Sequence, residues 1–255
     1  MTTPAGKGDI RYGNVHSVFA SIQGEGPKVG ELHLFVRLYG CDVGCEYCDT
    51  PDALGPVKDA IVSYPACDIR QKNPMSTQQL ADICRKFANE NPLQGIAVTG
   101  GEPLLQAEYV RDFLRDLGRP RPPVILETSG LHPDNLDIVA GEISAVSADF
   151  KLASTRVAGA DEAKTLCFLA KASERLTTWV KLPIDYNVSP AEIRRVVSLI
   201  SSTVPKCEIV LQPITHADPR ADLKPNDLLK LFKTALDVRP SVRLIPQVHK
   251  FLGVK

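Results

Sequence analysis

The sequence predicts an α/β fold, a whole or partial (β/α) barrel with parallel strands and outer helices, and three observations predict it. Short apolar, β-rich runs alternate with longer helical patterns along the chain. Several of these runs are nearly continuous in hydrophobic residues, as parallel strands covered on both faces are. The chemically unusual residues fall just after the runs, at the strand ends where such folds collect their function. A chain of 255 residues buries a sizeable core, and its length fits one α/β domain as well as two.

The strands expected, in order, are 32–38 (LHLFVRL), 95–99 (GIAVT), 123–128 (PVILET), 143–148 (ISAVSA), 177–182 (TTWVKL), 207–212 (CEIVLQ) and 242–246 (VRLIP). The first helix begins at Ser76 or Thr77 as N-cap and carries Leu80, Ile83, Cys84 and Phe87 at helical spacing. A second, EYVRDFLRDLG, ends on Gly118. A third has Ser189 as N-cap, Pro190 at N1 and Glu192 at N3. A fourth, KPNDLLKLFKTALDV, sets Leu228, Leu229, Phe232 and Leu236 on one stripe. Residues 51–75 break this rhythm; they are polar and proline-rich, and are expected to be a lid or a decoration rather than a core element.

Composition excludes several classes. Thirty basic residues balance thirty acidic ones, so no charge excess points to nucleic acid or to an anionic membrane. The first residues lack the apolar core of a signal peptide, and no apolar run approaches the ~20 residues that span a bilayer. A cytoplasmic location is expected, and with it reduced thiols rather than disulfides among the seven cysteines.

Three of those cysteines, Cys41, Cys45 and Cys48, stand together in VRLYGCDVGCEYCDT, with C-x3-C-x2-C spacing. Thiolates this close can face one soft metal centre. A structural zinc site wants four ligands, and the other cysteines read as small buried or incidental thiols. An iron–sulfur cluster held by three thiolates instead leaves one iron open to another ligand. Other unusual stretches follow later strands: VTGGEP, LETSG, SADFK and LQPIT.

C-x3-C-x2-C, with Tyr47 before the last cysteine and GGEP at 100–103, resembles the radical S-adenosylmethionine (SAM) superfamily. Nearly the whole chain, through SIQGEG, FVRLYGC, CEYCDT and the closing PQVHKFLGVK, is similar to the 7-carboxy-7-deazaguanine synthases within it. The resemblance implies one domain over residues 1–255, a partial barrel of the radical SAM type with an N-terminal substrate-binding extension at about 10–30 and an insertion at about 51–75. It implies a 4Fe–4S cluster on Cys41, Cys45 and Cys48, with SAM chelating the open iron and supplying the radical in place of a catalytic side chain. The substrate implied is 6-carboxy-5,6,7,8-tetrahydropterin: hydrogen is abstracted at C6, ammonia is lost, SAM is regenerated, and 7-carboxy-7-deazaguanine forms for queuosine or another deazapurine.

Residue roles follow from the same resemblance. Gly101, Glu102, Ser147, Asp149, Lys151, Gln212, Pro213, Ile214 and Thr215 are implied to serve SAM, with Asp149 and Lys151 as alternatives for one role. Glu127 to Ser129 are further candidates for SAM's polar atoms. Ile22, Gln23, Gly24, Glu25, Arg37, Thr99, His249 and Lys255 are implied to serve the substrate. Gly24 and Gly26 would let a flat ligand approach the backbone, and Gln23 or Glu25 would read its edge. Arg37, on an otherwise apolar strand, needs a carboxylate: the substrate's by resemblance, a structural one otherwise. Thr50 matches an Mg2+ ligand, with Asp49 and Asp52 also near. A flavodoxin-type electron donor and a homodimer are implied as well. A glycyl-radical-enzyme activase is the alternative, although such enzymes commonly carry His-Asn where this chain has Asp49-Thr50.

Overall fold

A computed structural model describes residues 11–64, 67–215 and 223–255. Residue 10 of the expected extension, 65–66 of the insertion and His216 lie outside them. Twelve described strands are β1 (Tyr12–Gly13), β2 (Val15–Ile22), β3 (Leu32–Leu38), β4 (Asp59–Tyr64), β5 (Cys67–Lys72), β6 (Met75–Ser76), β7 (Gly95–Gly100), β8 (Val124–Thr128), β9 (Ala145–Asp149), β10 (Thr177–Ile184), β11 (Glu208–Pro213) and β12 (Arg243–Leu244). The helices are α1 (Thr77–Glu90), α2 (Ala107–Leu117), α3 (Pro133–Val139), α4 (Glu162–Ser173), α5 (Pro190–Thr203), α6 (Pro225–Val238) and α7 (Val248–Leu252).

One sheet runs β12-β11-β10-β9-β8-β7-β3-β2-β4-β5. Every neighbouring pair from β3 to β12 is parallel, with α1 (after β4–β6) in the β3–β7 connection and α2 to α6 as the crossovers between the later strands. β12 and β5 end the sheet unpaired with each other, so the barrel is partial. Side chains of β2 and of β11 nevertheless line one cleft, which requires the sheet to curl.

Local sequence explains the main elements. Ser76 caps α1 in a capping box with Gln79, and Gly118 closes α2 at φ 76°. Ser189 Oγ accepts from the backbone N–H of Glu192 at the start of α5. Leu34, Val36, Ile96, Val98, Leu126, Val146, Val180 and Leu211 are buried between sheet and helices, each contributing on the order of 1.5–3 kcal/mol of burial. Among the described residues no helix is long and apolar enough to cross a membrane.

Four expectations change. VHSVFASI, read only as part of a substrate-binding extension, is the eight-residue strand β2, antiparallel to β3. The insertion is no mere decoration: β4 pairs with β2, β5 with β4, and Ala60, Val62 and Met75 are fully buried in the main core. Its period-2 pattern puts Ala60 and Val62 inward and Ile61 outward, which an average over a polar stretch conceals. On α6 the buried face is Leu231 and Ala235, while Leu229 is 48% exposed. The last strand shrinks to two residues because Pro246 has no N–H to continue the ladder.

Candidate active site

A single cleft lies at the carboxyl ends of β3, β7, β8, β9, β10 and β11. The loop after β3 brings Cys41, Cys45 and Cys48 to its wall, half-buried and free of disulfides. Gly44 N–H donates to Ala158 O at 3.1 Å, and Tyr47 packs with Val43, Leu131 and Val157 behind the loop. Burial pushes the Cys41 and Cys45 thiols above their ordinary range, so a metal must displace their protons to bind. Cys67, Cys84, Cys167 and Cys207 all lie off the cleft wall. The donor set therefore fits a cluster held by three thiolates, with no fourth cysteine in reach.

The Gly100-Gly101 turn after β7 packs directly on this loop. A Cβ at Gly101 would stand 2.2 Å from Gly40 O, and Glu102 N–H donates to that same oxygen at 2.8 Å. Thr99 is buried on the wall beside Arg37. Glu102 is fully buried, and its carboxylate accepts from Leu104 N–H at 2.9 Å, Thr128 Oγ1 at 2.8 Å, Ser129 N–H at 2.7 Å and Ser129 Oγ at 2.6 Å. All four donors are neutral, and among the described residues no cation pairs with it. Glu102 thus braces the Gly101 turn from behind without itself lining the cleft.

The β2–β3 side holds the substrate candidates. Ile22, Gln23, Gly24 and Glu25 line the wall, and Gln23 Nε2 donates to Glu127 Oε1 at 2.9 Å. Gly24 is glycine because of the chain itself. A Cβ there would meet His249 Nδ1 at 2.2 Å, while one at Gly26 would meet Trp179 Nε1 at 2.7 Å. The close approach expected of a flat ligand is therefore made by the protein's own side chains. Arg37 donates to Thr50 Oγ1 at 2.7 Å and lies 5.9 Å from the Phe19 ring centre. It makes no ion pair with a described Asp or Glu, which removes the structural-carboxylate alternative; burial pulls its pKa down while Glu127, Asp49 and Glu25 act against that.

On the opposite side, Lys151 Nζ donates to Asp149 at 2.7 Å and lies 5.4 Å from the Tyr47 ring centre. Burial would raise the Asp149 carboxyl, but Lys151 and Lys181 hold it down to about 2. Both Asp149 and Lys151 line the wall, so the two alternatives form one ion pair. Gln212 and Ile214 also line it, and Gln212 Oε1 is buried without a partner, as suits a ligand donor. Ser147, Pro213 and Thr215 are not brought to the wall: Ser147 is buried lower on β9, and Thr215 N–H is taken by Gln247 Oε1 at 3.3 Å.

The C-terminal segment straps over the cleft. Val248 N–H donates to Gly24 O at 2.9 Å, and Gln247 Nε2 donates to Glu25 Oε1 at 3.0 Å and to Asp49. Lys250 Nζ donates to Asp49 at 2.6 Å. Ser21 Oγ donates to Lys255 O at 2.9 Å, and both His249 and Lys255 line the wall. Glu25, Asp49 and His249 have ligand atoms within 4.8 Å of one another, but Lys181, Gln247 and Lys250 already occupy the carboxylates.

Several lining residues escaped sequence reasoning: Phe19 and Phe35, stacked at 5.2 Å, and Lys181, Pro183 and Gln247. Lys181 had a signal, a lone charge in TTWVKL like Arg37 in LHLFVRL. Gln247 had none.

Residues 35–200 match the radical SAM superfamily, and the chain belongs to it. It is 31% identical over 243 residues to the 7-carboxy-7-deazaguanine synthase of Geobacter sulfurreducens, covering 94% of this chain and 96% of that one. It is also 31% identical to the Archaeoglobus fulgidus enzyme of the same name, covering 95% and 99% of the two chains. The crystal structure of QueE from Escherichia coli shares the fold, with TM-score 0.66 at 23% identity over 93% of this chain and 95% of that one. Within the superfamily, this chain is a member of the 7-carboxy-7-deazaguanine synthase family.

Proposed function

We propose that this chain contracts the ring of 6-carboxy-5,6,7,8-tetrahydropterin to give 7-carboxy-7-deazaguanine and ammonia, in 7-deazapurine biosynthesis. The observation that carries the reading is one cleft wall with three free thiols on it and an arginine with no ion-pair partner among the described residues. Cys41, Cys45 and Cys48 would hold the 4Fe–4S cluster. The Gly101 backbone, Gln212, Ile214 and the Asp149–Lys151 pair would receive SAM, with Glu102 fixing the Gly101 turn from behind. When bound, cluster and SAM supply the radical chemistry.

The chain's own residues bind, orient and exclude water. Arg37 offers a planar fork to the substrate carboxylate, held in place by Thr50. The Phe19–Phe35 stack gives the flat ring an apolar wall, and Gln23 and Glu25 lie along its edge. α7 and Lys255 cover the site. The Thr50 hydroxyl keeps a lone pair beside the one that accepts from Arg37, so it would serve as an Mg2+ ligand together with substrate oxygens. Likeness to the family adds a flavodoxin-type electron donor and a homodimer. The product equals the substrate less one ammonia, so the overall reaction consumes no electrons.

The test is anaerobic cluster reconstitution followed by SAM, a low-potential reductant and the carboxytetrahydropterin. The expected result is 7-carboxy-7-deazaguanine with one ammonia per product. SAM cleavage with no pterin-dependent product would refute the reading, and a radical on a glycine of another protein would favour an activase.

A further inference from the structure

Lys181 is left without a task by the roles above, yet it is among the most enclosed charges in the molecule. On β10, Val180, Leu182 and Ile184 face the helices, while Trp179, Lys181 and Pro183 alternate toward the barrel interior. The Lys181 side chain is 9% exposed; its ammonium donates to Glu25 Oε2 at 2.5 Å and stands 3.2 Å from Asp149 Oδ1. A line of alternating charge thus joins the substrate loop to the cysteine loop: Glu25, Lys181, Asp149, Lys151 and the ring of Tyr47.

The line is asymmetric. Asp149 has two ammonium partners, Lys151 and Lys181. Glu25 has one, because its other oxygen meets only the neutral Gln247 amide. The remaining charged groups that face Glu25 are Asp149, Asp49 and Arg37; Arg37 acts on it through space without forming an ion pair, and the His249 ring lies beside it. Removing Lys181 leaves Asp149 paired with Lys151 and Glu25 with no ion-pair partner in a buried site, the condition that favours a protonated carboxyl. Burial alone would raise the Glu25 carboxyl, and Lys181 more than offsets this and holds it below its ordinary range. A protonated carboxyl presents an O–H donor, whereas an ionised one only accepts. The amino and ring N–H edge of a pterin is made of donors, so only the ionised form is complementary to it.

We propose that Lys181 is a positioning residue for substrate recognition: it keeps Glu25 an acceptor-only group aimed into the cleft, and acts on the pterin solely through it. The inference rests on the ring-contraction reading. Reconstituted holoenzymes carrying Glu25→Gln, Lys181→Met, Lys181→Arg and the Lys181→Met/Glu25→Gln pair are compared by steady-state kinetics. Glu25→Gln and Lys181→Met are each expected to raise the pterin KM about tenfold, roughly 1.4 kcal/mol, with the SAM KM within about twofold of the parent. Lys181→Arg should recover most of that loss. The double variant, which buries no unpaired charge, should match Glu25→Gln alone. A double variant tenfold worse than Glu25→Gln, or Lys181→Met with an unchanged pterin KM, overturns the proposal. If Lys181→Met does not fold, the comparison of the double variant with Glu25→Gln decides by itself. A parent enzyme inert toward the pterin would instead sink the ring-contraction reading.

Discussion

Arg37 lies on β3 between Val36 and Leu38, both buried in the core, and its guanidinium emerges into the cleft toward Thr50. A partly buried cation normally finds a carboxylate partner. This one has a hydroxyl and an aromatic face, and on the proposed reading the missing anion is the substrate's. Arg37→Lys keeps the charge but loses the fork and its geometry. It should raise the pterin KM about 10- to 100-fold, the range of one charge-assisted hydrogen bond, with little change in the KM for SAM. Equal loss for both would mean that Arg37 holds the cleft together rather than the substrate. Glu102 shows the converse case. Its sequence context, GGEP, suggests a direct contact with SAM, but its oxygens already hold the ends of β7 and β8 together. It contributes geometry while the Gly101 backbone lines the wall.

At the scale of elements, the insertion and the C-terminal strap have opposite characters. Met75 ends the insertion, fully buried in the main core. Met75→Ala should therefore cost about 2–5 kcal/mol in chemical unfolding, whereas a residue of a mobile lid would change stability by less than about 0.5 kcal/mol. The strap α7, by contrast, buries no residue of its own and is held by polar contacts to Gly24, Glu25 and Asp49. Segments with few apolar contacts open at low cost. Deleting residues 250–255 should lower pterin turnover at least tenfold, by the logic of a cover that excludes water and orients substrate, and leave the iron content unchanged. Equal loss of cluster and turnover would assign the strap to folding instead.

Across the whole molecule, what was legible in the sequence is what local chemistry writes down. The β3 cysteine loop, the Gly100-Gly101 turn and the loops after β8, β9 and β11 each carry a short, readable pattern, and parallel topology places all of them on one rim. The contacts that complete the site join distant segments instead. Glu25 meets Lys181 across 156 positions and Gln247 across 222, and Gln247 meets Asp49 across 198. No spacing or period announces such pairs, so Lys181 and Gln247 stayed hidden, as did the fact that Gly24, on the cleft wall, also seats His249. β2 and β4 were missed because their alternation is short and interrupted by polar residues. The central claim, that the three-cysteine loop drives chemistry on the pterin, is tested most directly by the rate of 7-carboxy-7-deazaguanine formation in reconstituted parent protein beside Cys45→Ala. The account predicts steady product from the parent and none from the variant; full turnover by Cys45→Ala would contradict it.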